Sequence, residues 1–163
     1  MQFNAKDNII IHTHFKITKI VDGDGVFVEN IFENTEIEIR MYGIDAPEIK
    51  KCRKLYQDEK ETQIPGSLLV ELGIKSLQFL NNYLLVGTNC TLVQEQKNTS
   101  DVYGRFLAYI ILPSGEVLNE TLIKEGYAKP YDKIYCSELG KYQEFNLLAK
   151  QNKKGLYSYV DKF

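Results

Sequence analysis

Three runs rich in Ile, Val and Phe, separated by two turn signals, make up the stretch FKITKIVDGDGVFVENIFENTEIEIRMY at residues 15–42. Apolar and polar residues alternate within each run, which is the pattern of a strand with one buried face. The interruptions at residues 22–25 and 33–34 carry Asp, Gly and Asn, which favour tight turns between antiparallel strands. The stretch therefore predicts three antiparallel strands joined by hairpins. Arg40 falls on the polar face of the third strand.

The remaining chain adds helical and strand patterns in an order that indicates the fold class. A polar stretch at residues 50–66 contains a Pro-Gly turn and predicts a surface loop. Gly73, Leu80 and Leu84 recur at helical spacing. We predict helices at about residues 68–85 and 118–125 and after Ser137 as N-cap, and strands at residues 88–94 and 103–112. This order predicts an α+β, mainly β fold, namely a five-stranded OB-type Greek-key barrel with three helices.

Composition and charge argue against some classes of protein. The net charge is −2, so a broad basic face that holds nucleic acid by bulk electrostatics is not favoured. Phosphate recognition must then depend on local clusters of cations. No apolar run approaches the roughly 18 residues of a membrane-spanning helix, so no membrane association is expected. The first eight residues are polar, which leaves cytoplasmic and secreted locations open.

The three cysteines do not form a zinc or redox motif. Cys52, Cys90 and Cys136 are far apart in the sequence and lack the close pairing of such sites. Buried or free thiols are the first expectation. A single disulfide between Cys52 and Cys136 is the alternative.

Two acidic turns are candidates for chemistry. Residues 22–25 read DGDG and residues 45–48 read DAPE. The first is also a strong hairpin signal, and the second also fits an ordinary turn after a strand. If they are functional, Asp24 supplies one carboxylate to a hard divalent cation, and the second turn holds the metal with one acid while the other reaches a water. The ligand spacing of an EF-hand is absent.

A third motif, DVYGR at residues 101–105, lies where a loop enters a strand. Its Gly permits close approach of the backbone, and Arg105 can present a planar guanidinium to a phosphate. A solvated Arg at the start of a strand is the simpler interpretation. None of the three motifs is specific by itself.

In combination the motifs are specific. VDGD at residues 21–24, Arg40, DAPE at residues 45–48 and YGR at residues 103–105 follow one another along a predicted barrel. In this the chain resembles the staphylococcal nuclease (thermonuclease) family. The resemblance runs over residues 15–158 and includes the pair Asn119-Glu120 and the run GYAK at residues 126–129. It implies an N-terminal extension at residues 1–14, a nuclease domain at residues 15–158 and a C-terminal tail at residues 159–163.

The resemblance implies a calcium site. Asp24 and Asp45 would bind Ca²⁺ through their side chains, and Ala46 would bind it through its backbone carbonyl. Alanine is compatible with this role because a carbonyl ligand requires only backbone. So few protein ligands would make a weak site, in the range of about 10⁻⁴ to 10⁻³ M.

The resemblance also implies the catalytic roles. Glu48 matches the family's proposed general base, which activates the water that attacks phosphorus. Arg40 and Arg105 match the two residues that hold the phosphate. Two guanidinium groups beside a divalent cation would stabilise the negative charge that a phosphodiester gains as water adds. In this family the bond to the 5′ oxygen breaks and 3′-phosphates remain.

Substrate contacts are expected from aromatic and basic residues. Tyr103 matches a family tyrosine near the phosphate, and either Tyr131 or Tyr135 would stack on a base, worth about 1 to 3 kcal/mol. Directly after Glu48 comes a run of four cations, which either solvates a loop or steers nucleic acid to the cleft. These cations are Lys50, Lys51, Arg53 and Lys54.

The sequence departs from the family at positions that carry no catalytic group. Gly25 replaces a usual Thr, Val102 stands where a Lys is frequent, and residues 155–157 lack a common Trp. Two other functions remain open, a catalytically inert module that binds nucleic acid or peptide and a structural metal-binding domain. Inert domains have typically lost some of the acids and arginines. Because this chain keeps all three acids and both arginines of the site, we expect a nuclease acting on DNA and/or RNA. We also expect it to be a monomer.

Overall fold

Five of seven strands form a closed barrel in the computed structural model, which describes residues 8–163. The strands are β1 (Ile9–Ile20), β2 (Gly25–Asn30), β3 (Glu36–Met41), β4 (Ile44–Asp45), β5 (Asn89–Glu95), β6 (Phe106–Ile111) and β7 (Lys129–Pro130). The order around the barrel is β1-β2-β3-β6-β5, and β4 pairs with β7 in a separate two-stranded sheet. The predicted five-stranded barrel is confirmed.

The three predicted N-terminal strands form the two predicted hairpins. β1 pairs antiparallel with β2, and β2 pairs antiparallel with β3, with Gly25 opposite Arg40. The alternating pattern buries one face, where Val26, Val28 and Ile39 are inaccessible to solvent. β3 then runs parallel to β6, with Arg40 beside Leu107, and this pairing closes the barrel. Arg40 and the chain entering β6 therefore lie on neighbouring strands.

Within residues 8–163, four α-helices and one short 3-10 helix accompany the barrel, so the predicted number of three helices is wrong. They are α1 (Arg53–Thr62), α2 (Gly66–Tyr83), α3 (Leu118–Lys124), α4 (Leu139–Gln151) and the 3-10 helix Gly155–Ser158. No helix in residues 8–163 is long and apolar enough to cross a bilayer.

The additional helix is α1, within the segment predicted as a surface loop. Leu55 and Thr62 are the residues it buries, so no apolar stripe marks it in the sequence. Leu55 packs into a second apolar cluster together with Leu69 and Leu72 of α2. Tertiary packing therefore stabilises a helix that its own composition does not predict.

An amide in α3 fixes the chain where β3 leaves the barrel. Asn119 is fully buried, and its Nδ2 donates hydrogen bonds to the carbonyls of Tyr42 at 3.0 Å and Ala108 at 3.3 Å. Its Oδ1 accepts a bond from the amide of Ile110 at 3.0 Å. Because Tyr42 directly follows β3 and the other two partners lie in β6, Asn119 ties the segment that leads into the DAPE turn to the neighbouring strand.

Three further expectations change in detail. The first strand begins at Ile9 rather than at Phe15, and residues 1–7 of the predicted extension lie outside the described residues. Ser137 is not the N-cap of α4, since Glu138 occupies that position without a side-chain capping bond, and the amide and hydroxyl of Ser137 both donate to Glu95 Oε1. All three cysteines are free thiols, so the alternative of a disulfide is wrong in this structure.

Candidate active site

A cleft of about 520 Å³ lies at one end of the barrel, where the β1–β2 turn, the end of β3 and the β4 turn meet. Most of the predicted site residues line it. Those lining it are Asp24, Arg40, Asp45, Glu48, Tyr103, Arg105 and Tyr131. Ala46 is buried beside Asp45, whereas Lys50 and Lys51 are exposed and do not line the cleft.

Arg40 joins the two acidic turns. Its Nη1 lies 2.6 Å from Asp24 Oδ1, and its Nη2 donates a hydrogen bond to Asp45 Oδ1 at 3.1 Å. The side chain is only 8% exposed. Burial alone would lower the pKa of Arg40, but the carboxylates of Asp24 and Asp45 raise it above its ordinary value. The guanidinium therefore remains charged and fixed in position.

Asp24 also bonds the backbone of the DAPE turn. Its Oδ2 accepts a hydrogen bond from the amide of Ala46 at 2.7 Å. The neighbouring Asp22 lies in the cleft too, and burial, followed by repulsion from Asp24, raises its pKa to about 7. The two acids of the DGDG turn thus differ in their contacts.

Helix α2 supports both turns at positions where a larger residue would not fit. A Cβ on Gly73 would lie 2.5 Å from the carbonyl oxygen of Pro47 and 2.6 Å from that of Glu48. A Cβ on Gly23 would lie 2.5 Å from Ala46 Cβ and 2.8 Å from Ser76 Cβ. The absence of side chains at Gly23 and Gly73 therefore allows the acidic turns to sit directly against the helix.

Lys54 lies among the acids rather than projecting into solvent. Its Nζ is 3.2 Å from Asp45 Oδ1, 3.2 Å from Glu48 Oε1 and 3.3 Å from Asp58 Oδ2. It also donates a hydrogen bond to the carbonyl of Ala46 at 3.4 Å. The prediction that Lys54 steers substrate through a local positive field does not describe this arrangement. The sequence did not predict these contacts of Lys54, because the segment that forms α1 was predicted to be a loop. In the helix, Lys54 lies one turn before Asp58.

The oxygen atoms here are of the kind that hard cations bind. A carboxylate oxygen of Asp45 and the carbonyl oxygen of Ala46 both contact the ammonium of Lys54. Carboxylates and carbonyls suit Ca²⁺ and similar ions. Within residues 8–163, no group of three or more His, Cys, Asp or Glu side chains is arranged to hold a metal. A metal site would therefore depend on two carboxylates, one carbonyl and water.

Asp45 is almost completely buried in the cleft. Burial raises its pKa, while the positive charges of Lys54 and Arg40 oppose that rise. Lys129, in the partner strand of the short sheet, contributes a third cation 4.0 Å from Asp45 Oδ2.

Asp101 orients Arg105, a role that the sequence did not reveal. Asp101 Oδ1 accepts hydrogen bonds from the amides of Tyr103 and Arg105, each at 2.9 Å, and its Oδ2 accepts one from Arg105 Nε at 2.8 Å. The contact leaves both terminal nitrogens of Arg105 without a hydrogen-bond partner in the described part of the chain. Burial alone would raise the pKa of Asp101, but its bonds to Arg105 hold the pKa below the ordinary value.

The aromatic candidates occupy different positions. Tyr103 is 83% exposed at the rim, and the Arg105 guanidinium lies 5.8 Å from its ring centre. Tyr131 lines the cleft because its amide bonds the carbonyl of Gly43 at 2.8 Å, and the Arg40 guanidinium lies 5.6 Å from its ring centre. Tyr135 is exposed outside the cleft. Of the two proposed stacking residues, Tyr131 is therefore the one near the acids.

Comparisons with known proteins agree with one another. Residues 38–159 match the family described as "Staphylococcal nuclease homologue". The chain is 34% identical to an uncharacterized protein, MJ1439, of Methanocaldococcus jannaschii, over 91% of this chain and 74% of that protein. It is 30% identical to endonuclease YhcR of Bacillus subtilis, over 89% of this chain and 11% of that longer protein. An uncharacterized endonuclease of Escherichia coli is 25% identical, over 91% of this chain and 79% of its own length.

Proposed function

The chain belongs to the staphylococcal nuclease family, and from that premise we propose that it hydrolyses phosphodiester bonds of DNA and/or RNA. The names of two relatives, both endonucleases, support this activity. The observation that carries the proposal is the convergence of Arg40, Glu48 and Arg105 on one cleft beside two buried carboxylates. A structural domain without substrate would have no use for this arrangement.

In the proposed reaction the two arginines bind the scissile phosphate. Arg105 presents its terminal nitrogens, because Asp101 holds only Nε. Arg40 contributes a charge that cannot reorient, since both neighbouring aspartates hold it. Fixed donors stabilise the charge that develops on the phosphate oxygens without reorganising during the reaction.

Glu48 is the proposed general base. Its side chain is partly exposed in the cleft, so a water molecule can reach it. The carboxylate takes a proton from that water as the water oxygen bonds to phosphorus. The bond between phosphorus and the 5′ oxygen then breaks, and the departing oxygen takes a proton from solvent, which leaves a 3′-phosphate and a 5′-hydroxyl.

Asp24, Asp45 and the carbonyl of Ala46 are the proposed ligands of a calcium ion. When bound, Ca²⁺ would supply a double positive charge beside the scissile phosphate. Asp24 would keep its bonds to Arg40 and Ala46, so the ligands and the phosphate-binding arginine belong to one connected group.

Substrate binding outside the phosphate is assigned to residues near the cleft. Tyr131 within the cleft and Tyr103 at its rim are suited to stack on bases, a contact that tolerates any sequence. Lys50 and Lys51 are exposed just after Glu48, where their charges would attract the backbone of the approaching strand.

Digestion of nucleic acid by the pure protein tests the proposal. Plasmid, single-stranded DNA and RNA are incubated with Ca²⁺, with Mg²⁺ or with EDTA, and the product ends are analysed. We expect cleavage in Ca²⁺ with 3′-phosphate ends and none in EDTA. Mg²⁺ should substitute poorly, because it requires a tight octahedron and loses its waters reluctantly. If the protein binds nucleic acid but does not cleave it at millimolar calcium, the proposed nuclease function is wrong and the alternative of an inert binding module takes its place.

A further inference from the structure

The ammonium of Lys54 lies where the proposed cation would have to bind. It contacts the carboxylate of Asp45 and the carbonyl of Ala46, two of the three proposed calcium ligands. It also contacts Glu48 and Asp58, so four oxygen atoms lie between 3.2 and 3.4 Å from one nitrogen. An ammonium and a divalent ion cannot both occupy the space in front of these oxygens, because two cations in contact with the same oxygen atoms would overlap and repel each other.

We propose that Lys54 is an internal competitor of the divalent cation, which must leave Asp45 and Ala46 before the metal binds and so sets the metal concentration that the protein requires. The competition concerns binding alone. Only its consequence, the metal threshold for cleavage, rests on the proposed nuclease function.

Arg40 and Lys54, the two cations nearest Asp45, differ in their freedom to move. Arg40 is 8% exposed and is held by Asp24 as well, so it stays in place when a metal binds. Lys54 is 31% exposed and reaches the acids from the solvent side on a flexible stem. The backbone of α1 is fixed by the buried neighbour Leu55, so the side chain of Lys54 can leave without unfolding the helix.

Displacement of Lys54 would also change the cleft. A released ammonium on the second residue of α1 remains beside the cleft, which Lys54 lines. It would then be available to a phosphate oxygen. Metal binding would thus convert Lys54 from a partner of the acids into a partner of the substrate.

The test measures metal binding without nucleic acid. Calcium affinity is determined by calorimetry, and by competition with luminescent Tb³⁺, for the wild type, Lys54→Met, Lys54→Gln, Lys54→Arg and the control Lys60→Met. Lys60 is an exposed lysine on the same helix. Unit charges about 4 Å apart interact noticeably even in water, and a divalent ion doubles the effect. We expect Lys54→Met and Lys54→Gln to bind calcium about tenfold or more tightly, with Lys54→Arg and Lys60→Met close to wild type.

Thermal unfolding gives a second measurement. Without metal, Lys54→Met should melt at a lower temperature, because Asp45 loses a neutralising partner, and calcium should raise its melting temperature more than that of the wild type. If Lys54→Met does not fold without metal, the same measurements are made on Lys54→Gln, because its amide can still hydrogen-bond the acids.

Unchanged or weaker calcium binding by both neutral variants would overturn the proposal, even if the wild type is an active nuclease. Tighter binding by both variants would support it, even if no variant cleaved nucleic acid. The absence of cleavage would then count against the nuclease function alone.

Discussion

Substitution of Gly73 by alanine should impair catalysis although Gly73 touches no substrate. The added Cβ would lie 2.5 Å from the carbonyl oxygen of Pro47, whereas ordinary contact begins at 3.4 Å. The atoms that this Cβ would meet belong to the backbone of the DAPE turn, so rotation of a side chain cannot relieve the clash. Either the DAPE turn or helix α2 must move by about 0.9 Å.

Two magnitudes follow from this displacement. Overpacking of a close-packed interface typically costs about 1 to 3 kcal/mol of unfolding free energy, which lowers the melting temperature by roughly 2 to 12 °C in a domain of this size. A misplacement near 1 Å can cost about 10²-fold in rate. Glu48 belongs to the displaced turn, while Tyr103 and Arg105 do not. We therefore expect kcat to fall by about 10- to 100-fold and KM to change by less than about threefold.

Steady-state cleavage and thermal unfolding of the same preparations measure both effects. Gly140→Ala is the matched control, because Gly140 lies in helix α4, is exposed, and has no atom within 4 Å of an added Cβ. It should stabilise the protein by about 0.5 to 1 kcal/mol and leave kcat unchanged. If Gly73→Ala retained wild-type kcat, the idea that α2 positions the catalytic turn would be refuted.

Three further substitutions test the proposed roles. Glu48→Gln should fold and bind substrate but lose about 10²- to 10⁴-fold in rate, since an amide cannot accept the proton; activity within about threefold of wild type would remove Glu48 from that role. Arg105→Lys should lose on the order of 10²-fold in kcat/KM because an ammonium lacks the planar pair of donors, and near-normal kinetics would mean that Arg105 supplies only charge. Asp101→Asn should lower kcat/KM about tenfold and lose about 1 to 3 kcal/mol of stability, measured by denaturant unfolding. Because the pKa of Asp101 is lowered in the folded state, its contribution is present above about pH 4 and is lost as pH falls through that lowered pKa, so variant and wild type should converge in acid.

The strands and the central residues were predictable because their determinants are local. The alternation of apolar and polar residues in β1 to β3 indicates which face of each strand is buried, and the DGDG motif indicates a hairpin turn. Strand register then places Arg40 opposite Gly25, directly beside the turn that carries Asp24. Knowledge of two strands and one turn was therefore enough to bring Arg40 to Asp24.

The supporting contacts were not predictable because their determinants are distant in sequence. Helix α1 depends on Leu55 packing against α2, and Lys54 finds Asp45 only once that helix exists. Gly73 fits the apolar stripe of a helix, and only the path of the DAPE turn shows that a Cβ there is excluded. The position of Asp101 four residues before Arg105 also fits an unremarkable loop until hydrogen bonds assign it.

The positions of these supporting residues explain how a chain with net charge −2 can present fixed positive groups to a phosphate. Asp24 and Asp45 contact Arg40, Glu48 and Asp58 contact Lys54, and Asp101 contacts Arg105. These five acids share three cationic partners, so their charges are partly offset within the protein and a nearby phosphate is repelled less than the number of carboxylates implies. Arg105 keeps two donors available, since its ion pair with Asp101 uses only Nε. Phosphate recognition then requires only a few charges held in fixed positions, and the overall charge of the chain need not be basic.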